Sequence, residues 1–307
     1  MISEKILIGN KYPLDGLLTI PETGTAPCPA VVLVHGSGAH DMDEKIYKIK
    51  PFQDIAEGLA KLGVASIRYN KRTFSYGKQL VKDFGKSLTV HEEVVEDAVF
   101  AADFLRNDPR IHANKIFIAG HSMGGCLAPR IDVDGGNFAG LILLAGSPRR
   151  LEEIIIDQGT AQIDALKGLL KWIAKKQVTK IHAKLDDIYS KTDEQAKASP
   201  FLGGTSVYYL KDMGQKTVAE YLSESTKPIL VMHPEKDVQV SLEKDFKMYQ
   251  EILAGHPNAT FKLYPGLNHA FMPALYGTID KALKEFKTEQ HVTQEVITDM
   301  ADWIKSL

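Results

Sequence analysis

Short apolar runs recur along the chain, and the stretches between them carry apolar residues at helical spacing. Ala30-Val31-Val32-Leu33-Val34 is apolar throughout, which suits a strand covered on both faces of a sheet. Residues 64–69, 115–119, 141–144, 229–232 and 260–264 read the same way. Two earlier strand-like runs, 5–8 and 14–20, are joined through the turn-prone Gly9-Asn10. Pro21, Gly24, Pro27 and Pro29 then impose a loop. Helical patterns occupy 52–62, 91–106 and 243–253, and a last one over 292–304 is placed to dock on the sheet. Eight strands alternating with helices of this length predict βαβ units, hence an α/β fold around a mostly parallel sheet.

One interval breaks the alternation. Between 147 and 226 no buried strand can be read; 151–157, 161–174 and 178–189 are helical in pattern instead. Insertions this long usually serve as lids or binding elements. The expected organisation is therefore a core of 1–146 and 227–307 with a helical cap over 147–226.

The strongest chemical signal lies directly after the apolar strand that ends at Ala119. Gly120-His121-Ser122-Met123-Gly124 is a G-x-S-x-G pentapeptide, followed by the helix-like Gly125-Cys126-Leu127-Ala128. In that strand–turn–helix context the serine sits in a tight turn, and glycines let neighbouring backbone approach closely. The helix start beneath it offers free amides and the positive end of a dipole. Ser122 is thus the expected nucleophile. A serine hydroxyl needs a base, and the base needs an orienting acid. With the chain order serine, acid, histidine, and with catalytic groups at the C-terminal ends of parallel strands, His269 is the histidine that fits. Asp237, in the loop after strand 229–232, is the expected acid, with Glu235 as its competitor. The oxyanion donors expected are the backbone amides of Met123 and Ser37, with Gly38 next in line.

These residues together resemble the serine hydrolases of the α/β-hydrolase superfamily. His35-Gly36-Ser37-Gly38-Ala39-His40-Asp41-Met42-Asp43-Glu44 is similar to a motif of bacterial esterases and dienelactone-hydrolase-like proteins, and Arg68-Tyr69-Asn70-Lys71-Arg72 resembles a strand-end segment of the same group. The resemblance implies an α/β-hydrolase fold with an antiparallel second strand. It also implies hydrolysis of carboxylic esters through an acyl-enzyme, without a cofactor and without a metal. Pro129 departs from a regular elbow helix and should shorten or bend it. The same triad would serve a thioesterase, an acyltransferase or a small peptidase. A haloalkane dehalogenase or epoxide hydrolase would need aspartate at 122, and a non-catalytic binding homologue would need no triad. Gly38, Tyr209 and Arg72 are candidate substrate-binding residues. Arg72 and Lys71 would either steer an anionic substrate or pair with Asp41 or Asp43.

Charge and cysteine content narrow the partners. Lys plus Arg is 37 and Asp plus Glu is 39, a net charge of −2, which offers no general attraction for nucleic acid or anionic lipid. Cys28 and Cys126 make neither a disulfide framework nor a zinc motif. No run approaches the ~20 apolar residues that span a bilayer, and the first residues lack the apolar core of a secretory signal. The expectation is a cytoplasmic enzyme of small-molecule esters with no nucleic-acid or membrane partner.

Overall fold

The apolar runs assemble into one eight-stranded sheet in the computed structural model, which describes residues 1–22, 27–201 and 204–307, leaving aside the side chains at 169, 173, 177, 180, 181 and 184. The strands are β1 (Ile2–Ile8), β2 (Leu14–Ile20), β3 (Cys28–Val34), β4 (Ala65–Tyr69), β5 (Ile111–His121), β6 (Leu141–Leu144), β7 (Ile229–Pro234) and β8 (Ala259–Tyr264). Their spatial order is β1-β2-β4-β3-β5-β6-β7-β8. β2 runs antiparallel to both β1 and β4, and all later pairings are parallel. The Pro- and Gly-rich loop expected before β3 is described at its two ends only; Gly24 lies outside the described residues.

Helices follow in chain order: α1 (Pro51–Lys61), α2 (Arg72–Asp83), α3 (Glu96–Arg106) and α4 (Met123–Ile131). Between β6 and β7 come α5 (Leu151–Asp164), α6 (Gly168–Leu185), α7 (Asp193–Ala198), α8 (Val207–Gly214) and α9 (Val218–Glu224). The chain closes with α10 (Lys247–Ile252), α11 (Ala282–Glu285) and α12 (Gln294–Ser306). Strand alternation sorts the core into two layers. Ala30, Val32 and Val34 of β3 pack with Ala98 and Ala102 of α3 and Leu127 of α4, while Val31 and Leu33 pack with Phe52 of α1 and Ile297 of α12. A strand covered on both faces must be apolar at every position, which is why β3, β6 and β7 read as uninterrupted runs.

Three details differ from the sequence pattern. α2 was not among the expected helices; only Arg72 and Leu80 of its residues are buried, with Tyr76 packed beside Leu80. The helix expected over 91–106 opens as a wide π turn over His91–Val95 before α3 begins. Pro129, which has no amide to donate, sits in a short α4 that passes into another π turn at Asp132. At the C-terminal edge of the sheet, the loops after β3, β5, β7 and β8 carry His35–Gly38, Ser122, Asp237 and His269. Parallel sheets with crossover helices gather reactive loops at that edge.

Candidate active site

The turn at Ser122 is tight in a way that only glycine neighbours allow. Ser122 adopts φ 54° and ψ −117°, and its amide donates to the Leu144 carbonyl at 2.8 Å, which locks the turn onto β6. A Cβ at Gly120 would lie 2.1 Å from the Gly124 oxygen, and one at Gly124 would lie 2.3 Å from the Val34 oxygen. Ser122 is the N-cap residue of α4, so the amide of Met123 belongs to the first turn of the helix, where backbone N–H groups have no partner within the helix. Across the site, a Cβ at Gly36 would come within 3.2 Å of the Ser122 Cβ, so the loop after β3 touches the serine.

Asp237 and His269 come together although 32 residues separate them, with His269 Nδ1 and Asp237 Oδ2 2.6 Å apart. The Asp237 side chain is fully buried, and its other oxygen accepts the amides of Gln239 and Val240 at 2.8 and 3.0 Å. Burial would raise its pKa, but the His269 ring, the His233 ring and the Val240 amide hold it below the ordinary carboxylate value. An Nδ1–H given to this carboxylate leaves the His269 Nε2 lone pair free to take a proton. Among the described residues Ser122 Oγ makes no hydrogen bond to the ring; such contacts commonly tighten only when substrate binds. Glu235, the competing acid, instead accepts the Gly266 amide at 3.0 Å and meets Lys236. Asn268 shapes the histidine turn: its Oδ1 accepts the Ala270 and Met272 amides, and its Nδ2 donates to buried Glu285 at 2.9 Å.

Behind the serine lies a buried ion pair that the residue pattern does not announce. Glu44 accepts the Gly36 amide at 2.7 Å and places its other oxygen 2.9 Å from His121 Nδ1. The His121 Nε2–H donates to the carbonyl oxygen of His269 at 3.0 Å, and the two rings pack 4.8 Å apart. Burial works against charge on both partners, yet each favours the charged form of the other. His121 is raised above the ordinary histidine value, and Glu44 is held at about 2. This pair ties the glycine loop, the elbow and the histidine loop to one another. His35, by contrast, is pushed down to about 3 by burial and stays neutral, meeting the Asp41 carbonyl at 2.9 Å.

An apolar cavity of about 850 Å³ opens beside the glycine loop. Ser37, Gly38 and Met123 line it, together with Leu80 of α2, Leu151 and Ile155 of α5, and Tyr209 and Leu210 of α8. Tyr209 lines the cavity, with its hydroxyl 3.8 Å from the Met123 sulfur. The structure corrects the expectation for Arg72. Its side chain is 1% exposed and is committed to Asp97 and Glu96 behind the site, so it does not reach a substrate. Its partner is not Asp41 or Asp43; Asp43 binds Arg68 at 3.0 Å. Lys71 is likewise buried, 2.7 Å from Glu93. Among the described residues no cluster of histidine, cysteine and carboxylate side chains is arranged to hold a metal, and no helix is long and apolar enough to cross a membrane.

A serine on a strand–helix elbow, at the rim of an eight-stranded and mostly parallel sheet, defines the α/β-hydrolase class. The chain belongs within it to the serine aminopeptidase S33 family, whose model matches residues 25–273. Esterase EstD of Thermotoga maritima is 32% identical over 292 residues, covering 95% of this chain. The chain spans 65% of the length of that relative. Est1E from Butyrivibrio proteoclasticus shares the fold at a TM-score of 0.60 and 17% identity, over 99% of both chains. A proline iminopeptidase of Mycobacterium smegmatis shares it at 0.62 and 14% identity, over 99% of this chain and 98% of that one.

Proposed function

We propose that the protein is a serine carboxylesterase acting on esters with small to medium apolar acyl groups. Ser122 attacks the ester carbonyl while His269 Nε2 takes its proton and later gives it to the leaving alcohol. Asp237 holds the imidazole tautomer and stabilises its charged form. The amides of Met123 and Ser37 bind the oxyanion of the tetrahedral intermediate. Water, deprotonated by the same imidazole, then attacks the acyl-enzyme and releases the acid. The observation that carries this reading is the apolar cavity beginning at Ser37 and Met123, on the same sheet edge as the Asp237–His269 couple. Similarity to an esterase over 95% of the chain supports it. Helices α5 and α8 act in this reading as a lid that completes the acyl-binding wall.

The family's description raises peptide substrates as a second reading. An aminopeptidase must hold a substrate ammonium, which calls for an available carboxylate. Glu93 is the one carboxylate lining the cavity among the described residues, and Lys71 already neutralises it. The lining therefore offers no unpaired carboxylate for a substrate ammonium. The test is a panel of p-nitrophenyl esters of graded acyl length, alongside acyl-CoA thioesters and aminoacyl amides, with wild type and Ser122→Ala. Ester turnover falling by up to about 10⁶ in the variant is expected by analogy with other serine triads. Wild-type ester turnover in Ser122→Ala, or amides outpacing esters, would reject the proposal.

A further inference from the structure

We infer that Lys71 is a positioning residue of the oxyanion hole: its ammonium fixes the plane of the Gly36–Ser37 peptide and so aims the Ser37 amide. The inference rests on the reading above, in which that amide is an oxyanion donor. Lys71 Nζ donates to the Gly36 carbonyl oxygen at 2.9 Å. A trans peptide is planar, and its C=O and the following N–H point in opposite directions. Holding the Gly36 oxygen therefore fixes the direction of the Ser37 N–H, on a residue that lines the cavity.

The surroundings are built to keep that grip. The Lys71 side chain is 2% exposed and has Glu93 Oε1 at 2.7 Å, so its charge is balanced without water. Its own amide donates to the His40 carbonyl at 3.0 Å, which fixes where the side chain starts. The two neighbouring groups of the loop are held as well: Glu44 takes the Gly36 amide, and the His40 ring meets the Ser37 carbonyl at 2.8 Å. Gly36 itself cannot supply rigidity, because glycine has the widest backbone freedom of any residue. It is needed for its missing side chain, since a Cβ there would sit 3.2 Å from the Ser122 Cβ. The loop thus needs a glycine for space and outside anchors for direction. Oxyanion donors act through preorganisation, so a peptide plane free to rock forfeits part of their effect before the chemistry begins.

The test variant is Lys71→Met combined with Glu93→Gln, which removes both members of the pair and leaves no buried charge alone. Losing an oxyanion donor outright costs about 10²–10³ in kcat, so loosening one should cost roughly 10–100-fold. The loss should fall on kcat, with KM moving less than about threefold, because the donor acts on the developing oxyanion and not on the neutral ester. An alkyl trifluoromethyl ketone, which adds to the serine as an oxyanion, should lose affinity by the same factor as kcat. Folded variant with wild-type kcat and inhibition constant would overturn the inference, as would lost kcat with undiminished inhibitor binding. Should the variant not fold, the inhibitor adduct of the unaltered enzyme decides by crystallography. Ser37 N on the adduct oxygen with Lys71 still on Gly36 supports the inference, and Lys71 released from Gly36 or the Ser37 amide turned away removes it. If wild type lacks Ser122-dependent ester turnover, the underlying reading fails first and this one goes with it.

Discussion

The buried Glu44–His121 pair makes a demanding prediction because two substitutions at one position should behave very differently. Glu44→Ala strips His121 of its counter-ion and leaves the Gly36 amide without an acceptor. Breaking a buried pair from one side costs about 3–5 kcal/mol, and an orphaned buried amide adds about 1–3 kcal/mol. Total stabilities are commonly about 5–15 kcal/mol, so Glu44→Ala should approach the limit of folding. At roughly 2 °C per kcal/mol for a chain of this size, its Tm should fall by roughly 8 °C or more. Glu44→Gln keeps an oxygen for Gly36 and offers an N–H to a neutral His121 Nδ1, whose Nε2–H still serves the His269 carbonyl. That variant should cost only about 1 kcal/mol near neutrality. The pH dependence carries the sign of the pair. Glu44 is depressed from 4.5 to about 2, so its contribution is complete above pH 4.5 and is lost as pH falls toward 2. His121 is raised from 6.5, so its contribution is complete below pH 6.5 and is lost as pH rises through the higher folded value. Urea melts of wild type and Glu44→Gln should therefore differ most between about pH 4.5 and 6.5 and converge on either side. A gap that stays constant from pH 3 to 9, or a Gln variant as unstable as the Ala variant, would refute the reasoning.

Two further outcomes follow from the same geometry. Asp237→Asn cannot favour the Nδ1–H tautomer, and kcat for p-nitrophenyl esters should fall by about 10⁴ while the protein stays folded; a loss under tenfold would remove Asp237 from its role. Arg72→Met leaves the buried Asp97 carboxylate unpaired and should lower stability by about 3–5 kcal/mol, read from denaturant melts. The ratio of kcat/KM for neutral and anionic esters should not move in that variant, and a changed ratio would restore Arg72 to substrate binding.

The sheet was largely legible because a strand covered on both faces is a contiguous apolar run, and contiguity is what a linear text preserves. The elbow was legible for a similar reason, since its glycines and serine are dictated by sterics within five residues. That His269 and Asp237 meet could be read from a rule of order and the ends of strands. The anchors behind the site were different. Glu44 finds His121, and Lys71 finds both Gly36 and Glu93, across separations that no local pattern records. Their segments stand out in the sequence as charged and glycine-rich, yet charge reads as solvent-facing until the fold buries it. Arg72 shows the converse error, a cation near a strand end whose use was settled by α3. α2 was invisible because its burial rests on an arginine and one leucine.

The division of labour around the cavity has a practical consequence. Ser122 sits on a turn where atoms added at Gly120 or Gly124 collide with main chain at 2.1 and 2.3 Å, so random change at those glycines is mostly lost. The opposite wall comes from Leu151, Ile155, Tyr209 and Leu210, residues of helices that neighbouring strands do not need in order to pair. A combinatorial library confined to those four codons could resculpt acyl-chain selectivity while leaving the chemical engine intact.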